Sequence, residues 1–118
     1  MQKFLLLIRE DLKTRATLSR EDFVRQARQV GEWVDRMASA GHFLDASALT
    51  NNGKYVGRGY VNSDGPFIEA KECISGFILI QAADLEEAGS WAQACPLVGN
   101  GVGVVEVREL QDIPETRQ

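Results

Sequence analysis

Two short apolar runs, one near the start of the chain and one in its second half, most constrain the fold. Residues 4–8 read FLLLI and residues 77–80 read FILI. Each run is too short for a helix and has apolar side chains at consecutive positions, which is typical of a strand buried on both faces. We therefore expect both runs to lie in the middle of a sheet.

Each run is followed by the signals of an amphipathic helix. Ser19 and Asp84 have the spacing of N-cap residues, with acidic residues in the following turn. The first helix, over residues 20–40, has one apolar stripe, made of Phe23, Ala27, Val30, Val34 and Met37. The second has an inner face of Leu85, Ala88, Trp91, Ala92 and Cys95, and Pro96 is predicted to end it.

The other segments predict strands and turns. Residues 43–49 and 54–62 are predicted to pair as a hairpin across the turn residues 51–53, Asn-Asn-Gly. Residues 102–110 are predicted to form the last strand. Residues 10–17 and the glycine-rich residues 97–103 are predicted to be loops.

The predicted order is β-α-β, a hairpin insert, and again β-α-β. In a chain of 118 residues this predicts a single α+β domain of the ferredoxin-like type, over residues 1–112, with a polar tail over residues 113–118. Two helices can cover only one face of the sheet, yet the central strands are apolar on both. We expect a second copy of the chain to cover the open face in a homodimer; a bent monomer covered by its own hairpin and tail is the alternative.

Composition limits the function classes. The chain has 13 Lys and Arg against 17 Asp and Glu, which argues against nucleic acid or an anionic membrane as partner. A single histidine excludes a multi-histidine metal centre, and we expect no metal or cofactor. The N-terminal apolar run is too short for a signal peptide, which predicts a cytoplasmic protein. Cys73 and Cys95 are expected to be reduced, buried thiols, with a disulfide as the alternative.

The segment over residues 64–72 reads DGPFIEAKE, and it resembles the signature of the YCII-related, or DGPF-domain, family. The pairs Gly76-Phe77, Trp91-Ala92 and Cys95-Pro96 and the residues 105–108, Val-Glu-Val-Arg, are also similar to the family pattern. The resemblance covers nearly the whole chain. It implies a ferredoxin-like subunit that forms a dimeric α/β-barrel.

Members of this family are small bacterial proteins, some of them associated with alternative sigma factors. A distant branch includes a dehydrochlorinase and a member for which a His-Asp pair was proposed as catalytic. The histidine of that pair belongs to the first helix, and here residues 20–40 contain none. The resemblance therefore implies no histidine mechanism for this chain, while Asp64 corresponds to the aspartate of the motif.

Asp64 is the first candidate for catalysis, as a general acid or base facing a pocket between the sheet and the DGPF loop. The alternative is that its carboxylate only stabilises the turn. The candidate ligand-binding residues belong to the same segment: Gly65, Pro66, Phe67, Glu69 and Lys71. Lys71 could bind an anionic ligand, or it could form an ion pair with Glu69 on the same strand face.

His42 is the second candidate for acid–base chemistry, because it is the only histidine. Its alternative role is structural, as a hydrogen-bonded residue just after the helix end at Gly41. Two functions remain open at this point. One is a small-molecule-binding protein or a lyase- or isomerase-type enzyme with Asp64 as acid or base. The other is a non-catalytic dimer that regulates a protein partner such as a sigma factor.

Overall fold

A four-stranded antiparallel sheet is built around the two apolar runs. The computed structural model of the chain describes residues 1–62 and 72–113, so nearly all of the predicted tail lies outside the described residues. The strands lie in the order β2-β5-β1-β6. Their bounds are Gln2–Asp11 for β1, Phe43–Ala48 for β2, Glu72–Ala82 for β5 and Gly103–Glu109 for β6. The apolar runs lie in β1 and β5, in the middle of the sheet, as their composition predicts.

The two faces of the sheet differ in what covers them. Phe4, Leu6 and Ile8 point from β1 toward the helices and are buried in the main core. Leu5 and Leu7 point to the other face, where they lie opposite Leu79 and Phe77 of β5, and all four are only partly buried. The described helices cover one face of the sheet and leave this second, apolar face open.

Two long helices pack on the covered face, and both begin at the predicted caps. Helix α2 spans Arg20–Ser39 and begins after Ser19, whose hydroxyl accepts a hydrogen bond from the backbone N–H of Asp22 at 3.0 Å. Helix α3 spans Leu85–Gln93, and the Asp84 carboxylate accepts from the N–H of Glu87 at 2.9 Å. Each cap satisfies a backbone donor that the first turn of a helix leaves unpaired.

Two segments that were predicted to be loops form short helices. Residues 12–16 form a short helix, α1 (Leu12–Ala16), because the Asp11 carboxylate accepts from the N–H groups of Lys13 and Thr14 at its start. Residues 97–99, the start of the predicted glycine-rich loop, belong to α4 (Pro96–Gly99), in which the fixed φ of Pro96 suits the first position; helix α3 ends ahead of Pro96, as predicted.

In the described residues, no helix is long and apolar enough to cross a membrane.

The hairpin insert is present, but its strands pair differently from the prediction. Strand β2 pairs with β5, and the segment predicted as its partner folds on itself as β3 (Tyr55–Gly57) and β4 (Tyr60–Asn62). Gly59 takes a φ of +85° in the turn between them, a conformation that glycine adopts without strain. Pairing with β5 gives β2 a place beside the apolar centre of the sheet, which the polar hairpin partner could not offer.

Candidate functional site

A pocket of about 320 Å³ lies between helix α2 and the helix-facing side of the sheet. Its floor comes from the ends of β1, β2 and β5, and its roof from the first half of α2. The apolar lining includes Ile8, Phe23, Ala27, Val30, Val34, Ala46, Ala48, Gly76, Ile78 and Leu97. Apolar walls around a cavity of this size are typical of sites for small molecules.

The pocket exists because the residues opposite the first half of α2 are small. Ala46 and Ala48 of β2 and Gly76 of β5 carry little or no side chain, so they leave space beneath the helix. Phe23 therefore stays 56% exposed, although the apolar stripe predicts it in the core. Toward the end of α2 the gap closes, and Met37 is fully buried. The predicted stripe is thus partly core and partly pocket wall.

A hydrogen bond between two side chains marks the polar end of the pocket. The Ser75 hydroxyl donates to Oε2 of Glu10, and both residues line the cavity. Glu10 faces the pocket because it continues the alternation of Phe4, Leu6 and Ile8 along β1. Ser75 faces Glu10 because the ladder between β1 and β5 skips it: Ile8 lies opposite Gly76, and Arg9 lies opposite Ile74. This β-bulge turns a polar side chain into the site, a common use of bulges.

Arg15 lies beside this pair and also lines the pocket. Helix α1 holds it there, and one guanidinium nitrogen lies 3.3 Å from the Sγ atom of Cys73 and 3.5 Å from Oδ1 of Asn51. Gln26 and Ser47 complete the polar lining. The arrangement can bind a ligand that is mainly apolar and has polar groups at one end.

The residues of the DGPF segment lie outside the described residues. Asp64, Gly65, Pro66, Phe67, Glu69 and Lys71 therefore keep their roles as predictions. The described chain re-enters the sheet at Glu72, whose backbone lies opposite Asp11, one residue beyond Glu10. The segment thus leads into the sheet at the polar end of the pocket.

His42 lies away from the pocket, next to helix α3. Its Nδ1 atom is 2.7 Å from the carbonyl oxygen of Gln81, and its ring packs against Trp91 at a centroid distance of 5.3 Å. A carbonyl can only accept, so Nδ1 carries the proton in this contact. Nε2 then faces the Glu87 carboxylate at 3.8 Å. The geometry gives His42 a structural role, and its catalytic role stays a prediction.

The sequence interpretation missed Glu10, Arg15 and Ser75. One signal was available. Glu10 follows Phe4, Leu6 and Ile8 at every second position of β1, so its side chain is expected on the same face as theirs. The bulge that presents Ser75 has no local sequence signature. Arg15 is separated from Cys73 by 58 positions, so only the folded chain brings them together.

Both cysteines are buried and unpaired in the structure. Burial raises the pKa of the Cys95 thiol, so the thiolate form that reacts with electrophiles is disfavoured there. Within the described residues, no cluster of three or more His, Cys, Asp or Glu side chains could hold a metal ion.

Comparison with known proteins finds one matching family model and a similar solved structure. The model of the YCII-related domain matches residues 4–113. No curated protein sequence matches the chain. Among solved structures, the chain is similar to 5-chloro-2-hydroxyhydroquinone dehydrochlorinase from Burkholderia phenoliruptrix, determined in complex with 2,5-dihydroxybenzoquinone. The TM-score is 0.56, the sequence identity is 12%, and the match covers 94% of this chain and 95% of that one, which shows a shared fold.

Proposed function

The chain belongs to the YCII-related domain family, and from this premise we propose that it binds a small molecule in the pocket between α2 and the sheet. We further propose that it acts on this molecule as a lyase- or isomerase-type enzyme, with Asp64 as the general acid or base. One observation carries the proposal: an apolar cavity ends in a polar group of three side chains, Glu10, Arg15 and Ser75.

Chain connectivity supports the role of Asp64. The segment that contains it enters the sheet at Glu72, next to the polar end of the pocket. A carboxylate needs to reach a bound ligand to move its proton, and shielding from water raises its pKa toward neutrality. Asp64 in this segment is therefore a better candidate than His42, which lies beside α3.

The solved relative adds support of a general kind. It is a 5-chloro-2-hydroxyhydroquinone dehydrochlorinase, and its structure contains 2,5-dihydroxybenzoquinone. A single-ring compound suits a cavity of about 320 Å³, which is at the lower end of the range for small-molecule sites. We propose small cyclic compounds as the first set to test.

Binding is tested by screening such compounds against the full chain by thermal shift, since a ligand that binds only the folded state raises Tm. Ala27 lines the pocket, so Ala27→Phe would fill it from the side of α2 that forms its roof. Ala38→Phe places the same ring elsewhere on the exposed surface of α2 and serves as the control. We expect a hit to stabilise the wild type and the control but not Ala27→Phe. Equal stabilisation of all three would contradict this location of the site.

Acid–base chemistry is tested without knowing the full reaction. A lyase or isomerase base removes a proton from carbon, so a bound ligand exchanges that hydrogen with deuterium in D₂O, which NMR detects. We expect exchange with the wild type and none with Asp64→Asn, while Asp64→Asn still binds the ligand. Unchanged exchange by Asp64→Asn would assign the proton transfer to another group.

We also propose that the chain is a ferredoxin-like subunit that pairs through the open face of its sheet with a second copy. The split strand order β2-β5-β1-β6 supports the subunit type. The open face carries Leu5, Leu7, Phe77 and Leu79 at its centre, and a second copy related by a two-fold axis would cover this apolar surface.

The dimer is tested by light scattering on the full chain and on Leu7→Lys, which places a charge in the centre of the open face. The expected mass is twice 13.0 kDa for the wild type and close to 13.0 kDa for the variant. Glu109→Lys, an exposed change at the edge of the sheet, is the control. A wild-type mass of one chain would rule out this assembly.

A further inference from the structure

The guanidinium of Arg15 has no carboxylate partner among the described residues. Its contacts are the sulfur of Cys73 and the side-chain oxygen of Asn51, at 3.3 and 3.5 Å. Sulfur is a weak acceptor, and 3.5 Å is long for a hydrogen bond to oxygen. The ion pairs of the described arginines involve Arg9, Arg25 and Arg108. As far as the described part of the chain shows, most donors of Arg15 are therefore available for a group that enters the pocket.

Its surroundings favour an anion as that group. Arg15 is half-buried at the mouth of a pocket whose walls include Ile8, Val30 and Ile78. Charges attract each other more strongly beside apolar walls than in open water. A guanidinium also matches the geometry of a carboxylate, which it can bind through two parallel hydrogen bonds.

Glu10 limits the ligand at the same end of the pocket. Its Oε2 atom accepts the hydrogen bond from Ser75, and no described residue donates to Oε1. Glu10 forms no ion pair with Arg15, so each of the two side chains can bind a different group of the ligand. An ionised carboxylate can only accept hydrogen bonds, so it offers a place to a ligand hydroxyl. It also repels a second negative charge.

We propose that the pocket takes a compact, largely apolar monoanion that carries a hydroxyl group, such as a hydroxylated aromatic carboxylate. Arg15 binds the anionic group, and Glu10, held by Ser75, accepts the hydrogen bond of the hydroxyl. Among the described residues, Arg15 is the only cation that lines the pocket, which disfavours polyphosphates and other multiply charged ligands. The inference rests on the proposed binding function and adds the chemical class of the ligand.

Three matched probes test the inference by calorimetry on the full chain: 3-hydroxybenzoate, benzoate and 3-hydroxybenzamide. They share one ring and differ only in the anion or the hydroxyl, and the meta position keeps both polar groups on one side of the ring. We expect 3-hydroxybenzoate to bind most tightly and the neutral amide about tenfold or more weakly, which is the effect of a hydrogen bond to a charged group. Higher salt should weaken binding of the two acids and leave the amide unchanged.

Variants assign the preference to its residues. Arg15→Gln should remove the difference between 3-hydroxybenzoate and the amide, and Arg15→Lys should retain part of it. Glu10→Gln should reduce the advantage of 3-hydroxybenzoate over benzoate. Arg28→Gln, an exposed change on α2, removes the same charge away from the pocket and should leave all three affinities unchanged.

The outcomes separate this inference from the proposed function. If the wild type binds the amide as tightly as the acid, the anion proposal is wrong while the small-molecule site stands. If Arg15→Gln keeps the full preference for the acid, Arg15 is not the anion-binding group. If none of the three probes binds to the wild type, but the thermal-shift screen finds a ligand excluded by Ala27→Phe, the ligand class alone is wrong. If neither experiment finds a ligand, the binding function itself is overturned.

Discussion

The indole N–H of Trp33 donates a hydrogen bond to the backbone carbonyl oxygen of Trp91, at a distance of 3.0 Å. Trp33 is completely buried in α2, and Trp91 lies in α3. A buried tryptophan needs a partner for its N–H, and here the partner belongs to the other long helix. This bond therefore fixes the two helices relative to each other on the covered face of the sheet.

Replacing Trp33 by phenylalanine should destabilise the fold by about 1–3 kcal/mol, because it removes the hydrogen bond and part of the ring volume. The loss stays moderate, since the Trp91 carbonyl also accepts from the N–H of Ala94 at 3.2 Å. Urea denaturation followed by circular dichroism measures the change in wild type and variant alike. Trp33→Ala should cost more, about 3–5 kcal/mol. Equal stability of wild type and Trp33→Phe would show that the bond contributes nothing.

Stability should fall in acid partly through Glu106. The Arg9 guanidinium, which lies 3.0 Å from its carboxylate, holds the pKa of Glu106 below its usual value of 4.5, and Arg108 adds to the effect. A lowered folded-state pKa gives stability that is complete above 4.5 and is lost as the pH falls through the lowered value. Glu106→Gln should therefore flatten the dependence of unfolding free energy on pH below 4.5. Glu109→Gln, on the same strand, is the matched control, because no ion pair of the described residues involves Glu109.

Two glycine substitutions should act in opposite directions. A Cβ atom at Gly76 would lie 3.0 Å from the backbone oxygen of Ser47, so Gly76→Ala must push β2 and β5 apart, at a cost of about 1–3 kcal/mol. A Cβ atom at Gly89 of α3 meets nothing within 4 Å. Gly89→Ala should stabilise the helix by about 0.5–1 kcal/mol. Chemical denaturation of the two variants checks the signs.

The thiols should be protected in the native protein. Cys73 and Cys95 are each only 1% exposed. We expect slow reaction with a disulfide reagent in native buffer and rapid reaction of two thiols per chain after unfolding. If no reactive thiol appears after unfolding in the absence of a reductant, the two cysteines form a disulfide instead.

Features that depend on a few neighbouring residues could be predicted from the sequence. Ser19 and Asp84 cap their helices as expected, because an N-cap bonds only two or three residues ahead. The central strands were also predictable, since their apolar runs are continuous. Helix α1 was not, because it has no apolar stripe and depends on one carboxylate, that of Asp11.

Contacts between residues far apart in the sequence could not be predicted. The turn residues 51–53 favour a hairpin locally, but the apolar surface of β5 decides which strand β2 pairs with. The candidate site shows the same limit. Glu10 and Ser75 are 65 positions apart, and small residues such as Ala46 reveal a cavity only once the helix above them is placed. The predicted roles of the DGPF residues, with Asp64 first, remain to be tested by the experiments above.

The β-bulge at Ser75 suggests how chemistry can be added to such a sheet. Since the ladder passes from Gly76 directly to Ile74, a chain without Ser75 would keep every other side chain of β5 on its present face. The hydroxyl that holds Glu10 is therefore supplied by one extra residue rather than by exchanging one of the residues that form the core. A change in strand length by a single codon could thus introduce or remove a polar group in the pocket, and leave the architecture around it intact.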